Sequence, residues 1–347
     1  MYIKKILIAI VFIGLALAAF FAYHIYNIMM NSNTAFNNET AYVYVATNAT
    51  YNDVREQLEP LLKDIKTFDA LAKQKKYVNN IKAGRYAIKK GMNNNDIINS
   101  IRSNNLPLKV SFNNQESFEK LAGRISSQIE ADSLSLLQAM KDDAFLADNN
   151  FSNATALGMY LPNSYEFFWN TSAEQFRARM LKEYNRFWND DRNAKAKTIG
   201  LSRDQVIALA SIVYEESKQA SEQPRIAGVY MNRIKIGMPL QADPTLKFAA
   251  YQLPEYKNVV IKRVLNIHKE IVSPYNTYKN LGLPPGLIAM PDISAIDAVL
   301  NYEKHQYLYF AADAKRFGFH KFARTLSQHN VNAREYQQYL SSQGINK

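Results

Sequence analysis

The hydrophobic pattern changes texture along the chain. Positions 6–23, ILIAIVFIGLALAAFFAY, form an apolar run without a charge, and after Lys5 the next formal charge is Glu39. A helix crossing a bilayer needs about 17–25 such residues, so this run predicts a membrane span. NSNTAFNNET, residues 31–40, is polar and aperiodic and predicts a short tether. AYVYVAT then alternates as a strand does, YNDVREQLEPLL reads as an amphipathic helix, and a second helical stretch follows. IKAGRYAIKKGMNNNDIINSIRSNN predicts a strand, a glycine turn and a helix, closing a small α/β module near Pro107. A helical segment runs from about Ser117 to Ala147, with Asp142, Asp143, Asn149 and Asn150 marking loops.

From Leu157 onward the pattern is richer in aromatics. LGMYLPNSYEFFWN is followed by an amphipathic helix over about Ala173 to Trp188, and then DDRNAKAK reads as a polar loop. Ser202 with Gln205 three residues later is a capping-box pattern, which starts a helix at about Arg203 that runs through ALASIVYEES. Pro224 suits the first turn of another helix, PRIAGVYMNRIKIG, which Gly237 ends in a left-handed conformation. Helical pairs and short strands do not alternate regularly enough for a doubly wound sheet, so the fold class expected is α+β.

Composition narrows the chemistry. At 347 residues, 47% hydrophobic and 21% charged, the chain has apolar material for folded domains. It has no cysteine, which excludes disulfides, thiolate metal sites and a cysteine nucleophile. The five histidines show no metal-ligand spacing. A net charge of +11 without a nucleic-acid motif points to anionic lipid or an anionic polymer, and no nucleic-acid partner is expected. Lys4 and Lys5 before the apolar run place the N-terminus inside and everything after about residue 30 outside the cytoplasm. A cleaved signal peptide is the competing reading; the only neat A-x-A, Ala16 to Ala18, lies within the run rather than after it.

The adjacent pair Glu215 and Glu216 ends the apolar helix. At about 100° per residue, with Leu209 at zero, Val206, Ala210, Ile212 and Val213 centre a buried stripe near +30°. Glu216 falls at about −20°, inside the stripe, and Glu215 at about −120°, off it. Burial raises a carboxyl pKa, which suits a general acid working near neutral pH. The structural alternative pairs Glu216 with an arginine such as Arg225 or Arg233. After Gly237, MPLQADPTLKF sets Gln241, Asp243 and Thr245 at alternating positions, sharing a face if the segment is extended. SPYNTYKNLGLPPGLIAMP combines aromatics, amides and a rigid turn, a mixture suited to a sugar groove and equally to a structural loop.

ALASIVYEES, GVYMNRIKIGMPLQADPT, SPYNTY, GLPPGLIAMP, YLYFAAD and HKFARTLSQHN resemble, in order and spacing, the YceG-like family of endolytic murein transglycosylases. The resemblance covers essentially the whole chain, including KAGRYAIKKGM, which matches a LysM-like segment, and LGMYLPNSY. It implies a 1–5 cytoplasmic tail, a 6–30 transmembrane signal anchor, a 31–40 linker, a 41–110 LysM-like module, a 111–155 helical connector and a 156–347 catalytic domain. The family usually reads SIVEKE with the second glutamate catalytic; here Tyr214 replaces the first glutamate and Glu216 holds the catalytic position. The implied protein is a single-pass protein of the bacterial cytoplasmic membrane, cleaving peptidoglycan glycan strands to 1,6-anhydro ends without metal or cofactor. Asn232, Gln241, Asp243, Thr245, Tyr275, Asn276, Thr277 and Tyr278 are the expected groove contacts. His320 and His329 lie in matching motifs without an assigned step. Two alternatives stay open: a hydrolytic muramidase using Asp243 as second carboxylate, and a silent peptidoglycan-binding scaffold recruiting cell-wall synthesis or division proteins.

Overall fold

The computed structural model describes residues 2–256, 259–261 and 263–343. They fall into two compact units, the first comprising Met1–Val110, Gln128–Ala131 and Tyr165–Ser172, the second Ser111–Ser127, Asp132–Ser164 and Ala173–Lys347. The class is α+β.

The first unit opens with α1 (Tyr2–Met30), 29 residues long and apolar enough to cross a membrane. Lys4 and Lys5 lie in the first turn of this helix. At its other end Ile28 and Met29 pack against the unit's core. Then follow β1 (Thr40–Val45), α2 (Tyr51–Leu58), α3 (Ile65–Gln74), β2 (Gly84–Lys89), α4 (Asn94–Ser103) and β3 (Pro107–Phe112). β1 and β2 are antiparallel, in register from Thr40 opposite Lys89 to Val45 opposite Gly84. Val43 and Val45 alternate inward from β1, as do Tyr86 and Ile88 from β2, onto Val54, Phe68, Ile97 and Ile101 of the helices. Each such buried aliphatic contributes about 1.5–3 kcal/mol.

Residues 31–40 are no tether. Asn33 and Thr34 are buried. Asn33 Nδ2 donates to Asp64 O (2.8 Å) and Asn94 Oδ1 (2.7 Å), while its Oδ1 accepts from Asp64 N (2.9 Å). Thr34 Oγ1 accepts from Gly91 N (2.8 Å). Short polar side chains here tie backbone to backbone, a use that a hydrophobic pattern does not register.

In the second unit, α5 (Phe118–Ser126), α6 (Ser133–Met140) and α7 (Asp143–Asp148) start on the N-caps Ser117, Asp132 and Asp142. The 111–155 stretch is thus largely part of this unit rather than a separate connector. β4 (Asn163–Phe168), most of which returns to the first unit, forms a two-stranded sheet with β3 there. Helices α8 (Ala173–Phe187), α9 (Asp190–Ile199), α10 (Arg203–Glu216), α11 (Gln223–Lys235), α12 (Asp243–Tyr251), α13 (Asn266–Lys269) and α14 (Ile293–Leu300) follow. The hairpin β5 (Tyr309–Ala312) and β6 (His320–Ala323) precedes α15 (Leu326–Ser342).

Two expectations fail here for local reasons. DDRNAKAK is the helix α9: Asn189 caps it, Asp190 and Asp191 sit in its first turn, and Gly200 ends it at φ 75. With only Ala196 buried it has no apolar stripe to betray it. MPLQADPTLKF is not extended, because Asp243 and Pro244 open α12, so Gln241, Asp243 and Thr245 do not share a face.

α10 is the centre of the unit. Every residue from Val206 to Val213 is buried, and the helix packs against α9, α11, α12 and α14. Gly228 lets α11 lie close to the chain after α14: a Cβ there would sit 2.4 Å from Glu303 O.

Candidate active site

α10 begins on the expected capping box, with Ser202 Oγ accepting from Gln205 N and Gln205 Oε1 accepting from Ser202 N. Its last residue is Glu216, after which Ser217 turns extended. The helix therefore carries this carboxyl from a buried centre to the edge of the core. Glu216 is partly buried, while Glu215 is exposed and pairs with Lys218 at 2.8 Å.

Tyr230, buried on α11, donates its hydroxyl to Glu216 Oε1 at 2.7 Å. Phe310 of β5 packs edge-on to the Tyr230 ring at 5.9 Å. Burial pushes the Glu216 carboxyl up to about 7; the Tyr230 bond opposes this, the Asp243 charge adds to it, and His320 and Arg233 oppose it. The negative end of the α10 dipole also disfavours ionisation there. Burial, with Glu216 beside it, holds the Tyr230 phenol well above its ordinary value, so it remains a donor.

Neither arginine weighed as a partner pairs with Glu216. Arg225 binds Glu303 at 3.0 Å. Arg233 is buried and donates to the carbonyls of Leu308 (2.7 Å) and Leu240 (2.6 Å). A cavity of about 640 Å³ opens on Glu216, walled by Lys218 and Gln219, by the hairpin turn from Ala312 to His320, and by Tyr336 and Tyr339 of α15. A carboxyl that holds a proton near neutrality and faces a cavity of this size can deliver it to a bound ligand.

The profile of the YceG-like family matches residues 43–335. The chain belongs to the YceG-like family. An endolytic murein transglycosylase of Bacillus subtilis is 30% identical to it over 293 residues, covering 80% of this chain and 78% of that protein. Two Streptococcus pneumoniae proteins of the same name are each 26% identical; the chain spans about half, 53%, of their length. The crystal structure of a YceG-like protein from Listeria monocytogenes superposes with a TM-score of 0.57 at 26% identity, over 85% of this chain and 99% of that one.

In this YceG-like chain the expected groove residues separate by what their polar atoms do. Thr245, Asn276 and Thr277 are buried, and their bonds are internal. Thr277 Oγ1 meets Thr245 Oγ1 at 2.8 Å and accepts from Ala242 N at 3.0 Å, and Asn276 Nδ2 donates to Lys269 O and Ile271 O. Asn232 is partly buried and donates to the carbonyls of His305 (2.8 Å) and Tyr307 (3.0 Å). Gln241 and Asp243 are exposed, and Tyr278 donates to Asp243 Oδ1 at 2.6 Å. Tyr275 is partly buried, its ring 4.6 Å from Phe248. Of this set none lines the cavity at Glu216.

The pattern reading missed Tyr230, Glu222 and the hairpin wall of the YceG-like site. Tyr230 lay in a quoted motif, GVYMNR, fourteen residues after Glu216 and so within reach of a returning helix, but nothing in periodicity pairs the two. Glu222 sits in a run, SKQASEQ, that looks like solvated loop and is nonetheless buried. His329, stacked on Tyr309 at 5.4 Å, has its pKa lowered by burial and lies away from the cavity lining.

Proposed function

We propose that this chain is a membrane-anchored endolytic lytic transglycosylase that cuts peptidoglycan glycan strands between N-acetylmuramic acid and N-acetylglucosamine and leaves 1,6-anhydro ends. The observation that carries the reading is Glu216: a carboxyl pushed up to about 7, bonded by Tyr230 and facing a cavity, in a chain related to proteins named endolytic murein transglycosylase. Glu216 protonates the departing glycosidic oxygen, and the muramic acetamido group assists the positive charge that develops at C1. The carboxylate left behind then takes the proton of the same sugar's C6 hydroxyl as that oxygen closes onto C1. Tyr230 steadies the carboxylate between the two steps, since a phenol donor favours the ionised form. Glycosidases that hydrolyse normally use two carboxylates. The other candidate, Asp243, is held by Tyr278 on α12 and is absent from the lining of the Glu216 cavity, which favours the single-carboxyl route.

In this reading Gln241, Asp243, Tyr275 and Tyr278 contact the strand beyond the scissile bond, while Asn232, Thr245, Asn276 and Thr277 hold the loops that present them. α1 is a retained anchor with its N-terminus in the cytoplasm and the rest of the chain outside. Residues 41–110 act as a LysM-like module that positions the 156–347 catalytic domain. A reporter active only outside the cytoplasm, fused after Lys347, should be active with the protein in the membrane fraction; a soluble form lacking about the first 25 residues would mean cleavage.

The deciding experiment uses water. Digestion of peptidoglycan by the full chain in ¹⁸O-labelled water should yield unlabelled muramic ends, lighter by one water than a reducing end. One labelled oxygen per cut, together with loss of activity in Asp243→Asn, would make the protein a muramidase with Asp243 as its second carboxylate.

A further inference from the structure

Glu222 is a carboxylate in a polar run, yet it is only 6% exposed. Both its oxygens are spent on one residue: Oε1 accepts from the backbone N–H of His320 at 2.8 Å, and Oε2 lies 2.8 Å from His320 Nδ1. Burying a carboxylate is costly unless its oxygens are bonded, and here both oxygens are bonded to one residue, one to its backbone and one to its imidazole. A carboxylate oxygen only accepts, so the bond keeps a proton on Nδ1 and leaves Nε2 as the ring's remaining polar atom.

Nε2 makes no hydrogen bond to any described residue. The side chain is 15% exposed, and the residue lines the same cavity as Glu216. Phe310 packs edge-on to His320 at 5.1 Å and to Tyr230 at 5.9 Å, so one aromatic ring steadies both the imidazole and the phenol bonded to Glu216.

We propose that His320 is a second substrate-contacting group of this site, whose Nε2 hydrogen-bonds a sugar hydroxyl of the strand in the cavity, and that Glu222 is the positioning residue holding the ring for it. This rests on the carbohydrate reading of the site given above. A sugar hydroxyl both donates and accepts, so the oriented imidazole can bond one through Nε2 whether or not that nitrogen carries a proton. The bond also fixes one sugar within the cavity that Glu216 faces, which sets the approach of the glycosidic oxygen to the acid.

The test reads binding apart from cleavage. In the full-length Glu216→Gln protein in detergent, affinity for purified glycan strands stripped of their peptides is measured by calorimetry. Adding His320→Ala should weaken binding about tenfold, the size of one lost net hydrogen bond. His320→Gln, whose carboxamide oxygen reaches close to the Nε2 position, should restore most of it. Adding Glu222→Gln should weaken binding severalfold, and adding it on top of His320→Ala should cost nothing more. Binding by His320→Ala within twofold of its parent overturns the proposal. If that variant melts early, His320→Asn against His320→Gln decides: Asn preserves a polar group for Glu222 but cannot reach as far as Nε2. Asn weaker than Gln severalfold supports the contact, and equal affinities overturn it. Labelled product ends in ¹⁸O water would sink the lyase reading while leaving this result untouched.

Discussion

The two units bury polarity in different currencies. Among the described residues of the first, the buried polar side chains other than tyrosine are Asn33, Thr34, Asn94, Ser100 and Thr171, none of which ionises. In the second they include Glu222, Arg233 and His268, with the raised carboxyl of Glu216 at the core's edge. Amides and hydroxyls fasten chain to chain, and their bonding does not change with pH. Buried ionisable groups stabilise less for what they cost, and they respond to protons and to ligands. The difference teaches where to look for chemistry: the first unit is built to hold a shape, and the second to hold a charge state.

The comparison is sharpened most by Glu216. Glu216→Gln should lower the cleavage rate at least about 100-fold, or about 2.7 kcal/mol of barrier, while Glu215→Gln, which loses only an exposed pairing with Lys218, stays within about twofold. Equal losses in the two, measured as anhydro ends released per minute, would break the assignment. The rate of the native protein should also fall as pH rises through about 7, because the acid must carry its proton.

The same residue has a stability signature with the opposite benefit. Its carboxyl is raised in the folded state, so the proton binds more tightly there than in the unfolded chain. The resulting stabilisation is fully present below the ordinary value of 4.5 and is lost as pH rises through about 7. Glu216→Gln removes that loss and should therefore stabilise the second unit relative to the native protein at pH 8, by up to about 3 kcal/mol, with no gain at pH 4. Denaturant titration at the two pH values checks it.

A smaller effect belongs to the first unit. Asn94 accepts from Asn33 and donates to Ile28 O, so Asn94→Ala should destabilise that unit by about 1–3 kcal/mol at every pH between 5 and 8. Cleavage per folded molecule should not change. A pH-dependent loss would mean that the neutral currency of this unit is not what holds it.

Much of this was legible in the sequence where apolar period and end signals agree. Ser202 and Gln205 predict the start of α10 to the residue, and Gly237 stops the next helical stretch at φ 66 as expected. The phase of Glu216 against Glu215 corresponds to partial burial against exposure, although the middle of α10 is buried on all sides and its stripe is therefore less informative than its ends. α9 escaped because its stability comes from a cap, a dipole and i,i+4 charges such as Asp191–Lys195 rather than from an apolar face. Tyr230 and the Glu222–His320 pair escaped because they join residues 14 and 98 positions apart, and no local pattern encodes a partner at that distance.

The burial of Asn33 and Thr34 has a mechanical consequence. A free ten-residue leash would let its cargo wander about 17 Å from its mooring. Here Ile28 and Met29 are already packed into the folded unit, and the chain after them is stitched into the same structure. With α1 in a bilayer, the first unit would ride at a fixed height above it, because no slack separates the helix from the fold it enters.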